Sequence, residues 1–124
     1  MKTILVADDD KKITLALTRR LEASGYAVLT APNGFAALKL AVEHKPDLIL
    51  LDIWMPPGLG FSVAERLQEL GVAIPIIFLT ASRKRGLWAA SQEIGAAGYL
   101  EKPYDPERLT GTIERALARS ASAA

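Results

Sequence analysis

The sequence contains no cysteine, and His44 is its only histidine. The lack of cysteine excludes disulfides, thiolate catalysis and cysteine-ligated zinc or iron–sulfur centres, and one histidine cannot form a histidine-rich metal site. Basic side chains number 15 and acidic side chains 14, so the net charge of +1 provides no overall attraction to nucleic acid or to an anionic membrane surface. Any site for a charged ligand must therefore be local.

Long hydrophobic runs are also missing, since none approaches the ~20 residues that a membrane-spanning helix requires. The first apolar stretch ends at the aspartates of 8–10, before it reaches the ~7–15 residues of a signal-peptide core. We therefore expect a cytoplasmic protein that does not enter a membrane. Its 124 residues, 50% of them hydrophobic, suit one folded domain over residues 1–119, and we expect residues 120–124 to be a tail or a truncated linker.

Short apolar runs alternate with segments whose apolar residues recur at helical spacing, which predicts five strands and five helices. The predicted strands are residues 4–7, 26–30, 48–51, 76–80 and 99–100. The third and fourth runs are apolar at successive positions, which indicates strands that are covered on both faces. The pattern predicts a single α/β domain with a doubly wound parallel sheet.

Charged and polar side chains follow the strands at the edge where such a sheet binds ligands. Three aspartates, Asp8 to Asp10, follow the first strand, and Asp52 follows the third. Thr80 ends the fourth strand and Lys102 follows the fifth. If these strands are neighbours, the carboxylates, the hydroxyl and the ammonium share one pocket.

Crowded carboxylates repel one another unless a cation joins them or some remain protonated. An all-oxygen site with few protein ligands favours Mg²⁺, which binds carboxylates together with phosphate oxygens. Lys102 and Thr80 could each hold a phosphoryl oxygen. A carboxylate can act as the nucleophile in phosphoryl transfer, and Asp52 is the best placed of the group.

These residues give the chain a resemblance to the receiver domain of response regulators, the phosphoacceptor half of two-component signalling. The resemblance is to chemotaxis-regulator-like domains and extends from residue 2 to about residue 119. The matching segments are Ile4–Asp9, Leu50–Pro56 with Gly60 beyond it, Leu79–Ala81, Gly95–Tyr99 and Glu101–Tyr104. Each segment alone is a weak signal, but their order and spacing together are specific.

The resemblance implies a flavodoxin-like five-stranded sheet in the order 2-1-3-4-5 and a site built around Asp52. Asp52 would receive a phosphoryl group from the phosphohistidine of a kinase. Asp9, Asp52 and the backbone carbonyl of Trp54 would bind Mg²⁺, and Asp8 would hold the metal through water. The resemblance also implies a cis bond between Lys102 and Pro103.

The same resemblance assigns a switch to Thr80 and Tyr99. Lys102 would neutralise phosphoryl charge, the Thr80 hydroxyl would move to bond the group, and the Tyr99 ring would turn inward. The face formed by helix four, strand five and helix five would carry the signal. The implied partners are a sensor histidine kinase or phosphotransfer protein and a downstream effector or fused output domain, with a possible phosphorylation-dependent homodimer and no direct contact with nucleic acid.

Several residues near the site differ from the family pattern or have more than one interpretation. Trp54 and Ser82 lie at positions that influence access of the hydrolysing water, and we predict that Trp54 shields the acyl phosphate. Leu59 stands where an aspartate is common, so we expect helix three to lack a capping side chain. Asp10 is read as the cap of helix one, and the basic run at residues 83–85 as a docking patch or a solvated charge run.

Two other functions compete with the receiver interpretation. A phosphohydrolase of the haloacid dehalogenase type would use Asp8 as its nucleophile, with Asp10, Thr80 and Lys102 as partners, but Lys11 is atypical of that family and no later acidic pair could hold its metal. A receiver-like interaction module would signal without phosphorylation, yet it has no need of mutually repelling carboxylates. We expect a signalling protein whose only chemistry is its own phosphorylation and slow dephosphorylation, not an enzyme acting on a released substrate.

Overall fold

The computed structural model describes residues 1–55, 58–81 and 86–122. Residues 56–57, 82–85 and 123–124 lie outside this range, and with them Ser82, the basic run at 83–85 and the last two residues of the predicted tail. Five strands form the main sheet: β1 (Thr3–Ala7), β2 (Ala27–Ala31), β3 (Leu48–Asp52), β4 (Ile76–Thr80) and β5 (Gly98–Glu101). The five helices are α1 (Lys11–Ala23), α2 (Gly34–His44), α3 (Gly60–Glu69), α4 (Leu87–Ile94) and α5 (Pro106–Ser122).

The strands of the main sheet are all parallel and lie in the order β2-β1-β3-β4-β5. The predicted fold class and strand order are therefore confirmed. β1 and β3 are the neighbours between which the direction of winding reverses, because the chain moves from β1 to β2 on one side and then returns to β3 on the other. This switch point places the end of β1 next to the end of β3.

Both faces of the sheet are buried, as the unbroken apolar runs predicted. Leu5, Ile49 and Phe78 point to one face and pack with α2 and α3. Ile4, Leu50 and Ile77 belong to the other face and pack with α1 and α5, as the alternation of side chains along a strand requires. β3, in the middle of the sheet, is buried along its whole length, so Asp52 at its end sits on a rigid support.

A short β-hairpin with two residues in each strand lies between β3 and α3, and the sequence did not predict it. Its strands, Trp54–Met55 and Gly58–Leu59, are antiparallel, with Trp54 opposite Leu59. α3 then begins without a side-chain hydrogen bond from Leu59, which agrees with the predicted loss of a cap. At the other end of the chain, α5 continues to Ser122, beyond the boundary at residue 119.

Asp10 caps α1, as predicted. Its Oδ1 accepts hydrogen bonds from the backbone N–H groups of Lys12, at 2.9 Å, and Ile13, at 3.5 Å. These bonds satisfy two of the backbone donors that a helix leaves free at its first turn. The side chain is therefore committed to the helix.

We expect Asp10→Ala to lower the free energy of unfolding by about 1 kcal/mol, because the capping acceptor is lost. Urea unfolding measures this change. Asn33→Ala is the matched control, since Asn33 caps α2 through a 2.8 Å bond from the Ala36 N–H far from the aspartates. A large loss of Mg²⁺ affinity in Asp10→Ala alone would contradict the assignment of Asp10 as a cap.

Within the described ranges, no helix is both long enough and apolar enough to span a membrane.

Candidate functional site

Three carboxylates meet at the carboxyl edge of the sheet. One ligand oxygen from each of Asp8, Asp9 and Asp52 can be chosen such that all three lie within 4.8 Å of one another. Asp8 and Asp52 are buried, at 3% and 6% exposure, whereas Asp9 is open to solvent. The cluster thus has two buried oxygen donors and one that faces the entrance.

Lys102 is the cation that faces the buried pair. Its Nζ lies 2.8 Å from Asp8 Oδ2 and 3.3 Å from Asp52 Oδ2. The backbone N–H of Lys102 donates to the carbonyl of Thr80 at 2.7 Å, which ties the start of this loop to the end of β4. The Lys102–Pro103 peptide bond is cis, as the resemblance implied.

The ionisation of Asp52 and Lys102 reflects their burial and their mutual contact. Burial raises the pKa of Asp52, and the nearby Asp8 charge acts in the same direction; the Lys102 ammonium and the Trp54 N–H oppose this without cancelling it. Burial of the Lys102 ammonium works to lower its pKa, but the hydrogen bonds and charges of Asp8 and Asp52 outweigh it and hold that pKa above its ordinary value. One ammonium thus contacts two carboxylates.

The Asp52 carboxylate is also fixed by its own loop. Oδ1 accepts a 3.0 Å hydrogen bond from the backbone N–H of Trp54, while Oδ2 contacts Lys102. Because the two oxygens have different partners, the carboxylate has a defined orientation. That orientation is what a nucleophile needs if one of its oxygens is to attack in line.

Thr80 and Tyr99 lie on neighbouring strands and have different surroundings. Thr80 ends β4, is fully buried and lines a pocket of about 630 Å³ that the aspartates and Lys102 also line. Tyr99 is half-buried in β5, opposite Phe78 of β4, and packs against the core on the α2 and α3 face. It also lines a second pocket, of about 510 Å³, together with Trp88 and Arg108.

The sequence reasoning missed the apolar part of the first pocket. Ile13, Leu59 and Leu87 line it beside the aspartates, and Trp54 forms part of its wall with 63% of its own surface exposed. Leu59 lies opposite Trp54 in the hairpin, so the two side chains form one apolar edge. The signal available in the sequence was the presence of large apolar residues in the loops that follow β3 and β4.

The comparisons with known proteins agree with this geometry. The model of the response regulator receiver domain family matches residues 4–114, nearly the whole chain. The chain belongs to this family. Response regulators act with histidine kinases and with fused or downstream effectors, and receiver domains bind Mg²⁺. In this chain, the cluster of Asp8, Asp9 and Asp52 could hold a metal ion.

Relatives of this receiver domain include two bacterial transcriptional regulators. The alkaline phosphatase synthesis transcriptional regulatory protein PhoP of Bacillus subtilis is 40% identical over 123 residues, which are 99% of this chain and 51% of that protein. The phosphate regulon transcriptional regulatory protein PhoB of Pseudomonas aeruginosa is 43% identical over 122 residues, covering 96% of this chain and 53% of that protein. The receiver domain therefore spans about half the length of these relatives.

A solved structure has the same fold over its full length. The CheY-like response regulator receiver domain protein of Methanospirillum hungatei matches with a TM-score of 0.94 and 27% identity, covering 100% of this chain and 99% of that one. The family match and these relatives do not favour the haloacid dehalogenase interpretation. They likewise do not favour a module that works without phosphorylation, because the full acidic cluster and its lysine are present.

Proposed function

We propose that this receiver domain accepts a phosphoryl group on Asp52 from the phosphohistidine of a sensor histidine kinase or phosphotransfer protein. The observation that carries the proposal is the placement of the Asp52 carboxylate between its neighbouring acidic oxygens and the Lys102 ammonium, 3.3 Å away. In the transfer, an Asp52 oxygen bonds to phosphorus as the nitrogen–phosphorus bond of the donor breaks. The imidazole leaves, and the product is a mixed anhydride on Asp52.

The residues at the site fit a bound Mg²⁺. Carboxylate oxygens are its preferred ligands, and Asp9, Asp52 and the backbone carbonyl of Trp54 would hold it directly, with Asp8 acting through water. When bound, the ion supplies positive charge that neutralises the carboxylates and the phosphoryl oxygens. The negative charges of Asp8 and Asp52 would then be balanced by the ion as well as by Lys102.

Lys102 and Thr80 supply the remaining groups that a phosphoryl oxygen needs. The Lys102 ammonium already lies within the pocket, so it can pair with a phosphoryl oxygen after a short movement away from Asp8. Thr80 lines the same pocket and would donate its hydroxyl to the group. Such bonds would form only in the phosphorylated state, so they would stabilise that state over the unmodified one.

The proposed switch transmits this change from Thr80 to Tyr99. Both residues lie on the last two strands, and movement of Thr80 would open space into which the Tyr99 ring turns. The face of α4, β5 and α5, where Tyr99 and Trp88 line a common pocket, would then present a different surface to an effector, a fused output domain or a second copy of the domain. The control of transcription by PhoP and PhoB suggests an output of that type.

The proposal includes a cytoplasmic location, no direct nucleic-acid contact by these residues, and no chemistry on a released substrate. The protein would catalyse only its own phosphorylation and slow dephosphorylation. In that respect it is a signalling protein.

Labelled acetyl phosphate with Mg²⁺ tests the proposal. We expect one label per chain, and borohydride trapping followed by peptide mapping should place it on Asp52. Repeated turnover through Asp8 would instead support a phosphohydrolase, and the absence of both labelling and a response to beryllofluoride would support an interaction module.

Trp54 is expected to prolong the phosphorylated state. Its side chain stands at the pocket entrance beside Leu59, where it would limit the approach of a hydrolysing water. Trp54→Asn should shorten the lifetime of the acyl phosphate by about tenfold, which corresponds to ~1.4 kcal/mol in the barrier. The measurement is loss of label after the donor is removed.

Trp88→Asn is the control for this prediction, since Trp88 is similarly exposed, at 61%, but lines the other pocket. A phosphoryl lifetime in Trp54→Asn equal to that of the parent would show that Trp54 does not shield the group.

A further inference from the structure

The first residue of α3, Gly60, packs directly against the backbone of Asp52. A Cβ atom added to Gly60 would overlap the Asp52 carbonyl oxygen and lie 3.2 Å from the Asp52 carbonyl carbon. It would also lie 3.2 Å from the Cα of Ile53. The three nearest atoms that such a Cβ would meet belong to the backbone, so rotation of a side chain cannot relieve these contacts.

The backbone that Gly60 contacts is held from two directions. The Ile53 N–H donates to the carbonyl of Leu79 in β4 at 3.0 Å, and the Ile53 carbonyl accepts the Gly60 N–H at 2.7 Å. Asp52 is itself paired with Leu79 in the sheet, and Ile53 is only 2% exposed. A side chain at position 60 must therefore shift α3, break its bond to Ile53, or rotate the Asp52–Ile53 peptide.

Glycine is not required here for its backbone angles. The positive-φ glycines of the described chain are Gly25, Gly71, Gly86 and Gly95, and Gly60 is not among them. The requirement at position 60 is space, and the space lies against the residue that carries the reactive carboxylate.

We propose that Gly60 is a positioning residue for Asp52: its missing side chain lets the first turn of α3 seat against the Asp52 carbonyl and thereby sets the direction of the acceptor carboxylate. This inference rests on the proposed function, in which Asp52 is the acceptor. The contact acts through the peptide after Asp52, which also leads to the Trp54 N–H that bonds Oδ1. A rotation of that peptide would move the carboxylate and the Trp54 backbone together.

We expect displacement of the Asp52 carboxylate to weaken metal binding as well as to slow phosphorylation. The carboxylate oxygens of Asp8, Asp9 and Asp52 must stay close together to share an ion, and the first two lie in the loop between β1 and α1, distant from α3 in the chain. Moving Asp52 alone therefore opens the cluster. A misplacement of about 1 Å can reduce a rate by about 100-fold, so we expect an effect of that size on phosphoryl uptake.

The test is Gly60→Ala, made with Trp88→Phe so that Trp54 is the sole tryptophan reporter. Titration of MgCl₂ without any phosphodonor, followed by Trp54 fluorescence, should show an affinity at least about tenfold weaker than that of the Trp88→Phe parent. Labelling with acetyl phosphate at saturating Mg²⁺ should be about 100-fold slower. A role in stability alone would leave the metal affinity of the folded protein unchanged.

Gly98→Ala is the matched control. A Cβ on Gly98 would lie 2.7 Å from Thr112 Cγ2 and 3.2 Å from Ile77 Cγ1, so this substitution is also crowded, but the nearest atoms belong to side chains of α5 and β4. Gly98 is the first residue of β5. It lies two residues before Leu100, which is in register with Asp52 through Leu79 of β4. We expect this variant to lose stability while keeping the Mg²⁺ affinity of the parent.

Both glycine variants are repeated with Leu59→Ser, which offers α3 a neutral capping hydroxyl and offsets a loss of stability if Gly60→Ala alone folds poorly. The inference is supported if Mg²⁺ affinity falls in Gly60→Ala and not in Gly98→Ala, relative to the Leu59→Ser parent. It is overturned if Gly60→Ala binds Mg²⁺ as its parent does, or if both glycine variants weaken binding equally. A parent that binds Mg²⁺ but takes no label on Asp52 would refute the proposed function while leaving the fluorescence comparison to decide on Gly60.

Discussion

Asp52→Asn is expected to take up no phosphoryl label from acetyl phosphate or from a phosphorylated histidine kinase. The amide cannot form the mixed anhydride, so the variant lacks the proposed acceptor. Asp8→Asn is the comparison, because it removes a carboxylate that contacts Lys102 but leaves Asp52 intact. It should be labelled slowly, and its label should map to Asp52.

We also expect Asp52→Asn to raise the free energy of unfolding of the metal-free protein. The folded-state pKa of Asp52 is raised, chiefly by burial, so its contribution to stability is present below the unfolded pKa and is lost as pH rises through the folded value. The ionised carboxylate therefore opposes folding at neutral pH, and Asp52→Asn removes this effect. We expect a gain in the free energy of unfolding at pH 7.5 and a smaller gain near pH 4, where the parent's carboxyl is closer to its neutral form.

Urea unfolding with a chelator present, at both pH values, measures this gain. Excess Mg²⁺ should reduce the difference, since the parent then gains binding energy that the variant lacks. A loss of stability in Asp52→Asn at pH 7.5 would show that the Lys102 contact outweighs burial and the repulsion from Asp8.

Lys102→Met is expected to have the largest effect on stability. It leaves two buried carboxylates without the ammonium that lies 2.8 Å from one and 3.3 Å from the other. Removing one partner of a buried ion pair costs about 3 kcal/mol or more, and the methionine retains most of the apolar stem. Phosphoryl uptake should fall as well, because the charge that would meet the phosphoryl oxygens is gone.

The loss of stability in Lys102→Met should be larger at neutral pH than at acidic pH. The raised pKa of Lys102 means that its contribution is fully present below the ordinary lysine pKa of about 10.4 and is lost only as pH rises through the folded value. The parent therefore keeps the ion pair at pH 7.5, and the variant lacks it. At pH 4 the variant should approach the parent, because protonation of Asp52, whose pKa is already raised, relieves the unpaired charge.

Chelator-treated Lys102→Met and parent, unfolded in urea at pH 4 and pH 7.5, provide the comparison. Lys45→Met is the control, because Lys45 is the exposed C-cap residue that follows α2. A difference between Lys102→Met and the parent that is the same at both pH values would contradict the electrostatic explanation and point to lost packing.

The fold could be predicted because most of its strands and helices leave a hydrophobic pattern within a few consecutive residues. The unbroken apolar runs at 48–51 and 76–80 correspond to β3 and β4, whose residues are all buried, and the helical spacing of Leu109, Ile113 and Leu117 corresponds to α5. The weak strand predicted at 99–100 extends to Gly98–Glu101, since pairing with β4 supplies hydrogen bonds that two residues could not indicate by themselves. The hairpin at Trp54 and Leu59 was missed because strands of two residues have no periodicity to detect.

The candidate site, like the fold, has features that the sequence predicts and others that only the structure shows. By itself, the sequence determined which chemical groups lie at the carboxyl ends of the strands, because a parallel sheet brings all such ends to one edge. Only the tertiary structure decided that Asp8 and Asp52 are buried while Asp9 is open, that one lysine reaches both buried carboxylates, and that Gly60 packs against the backbone of Asp52. These properties depend on how residues distant in the chain pack within a few ångströms of one another, and no local pattern encodes such distances.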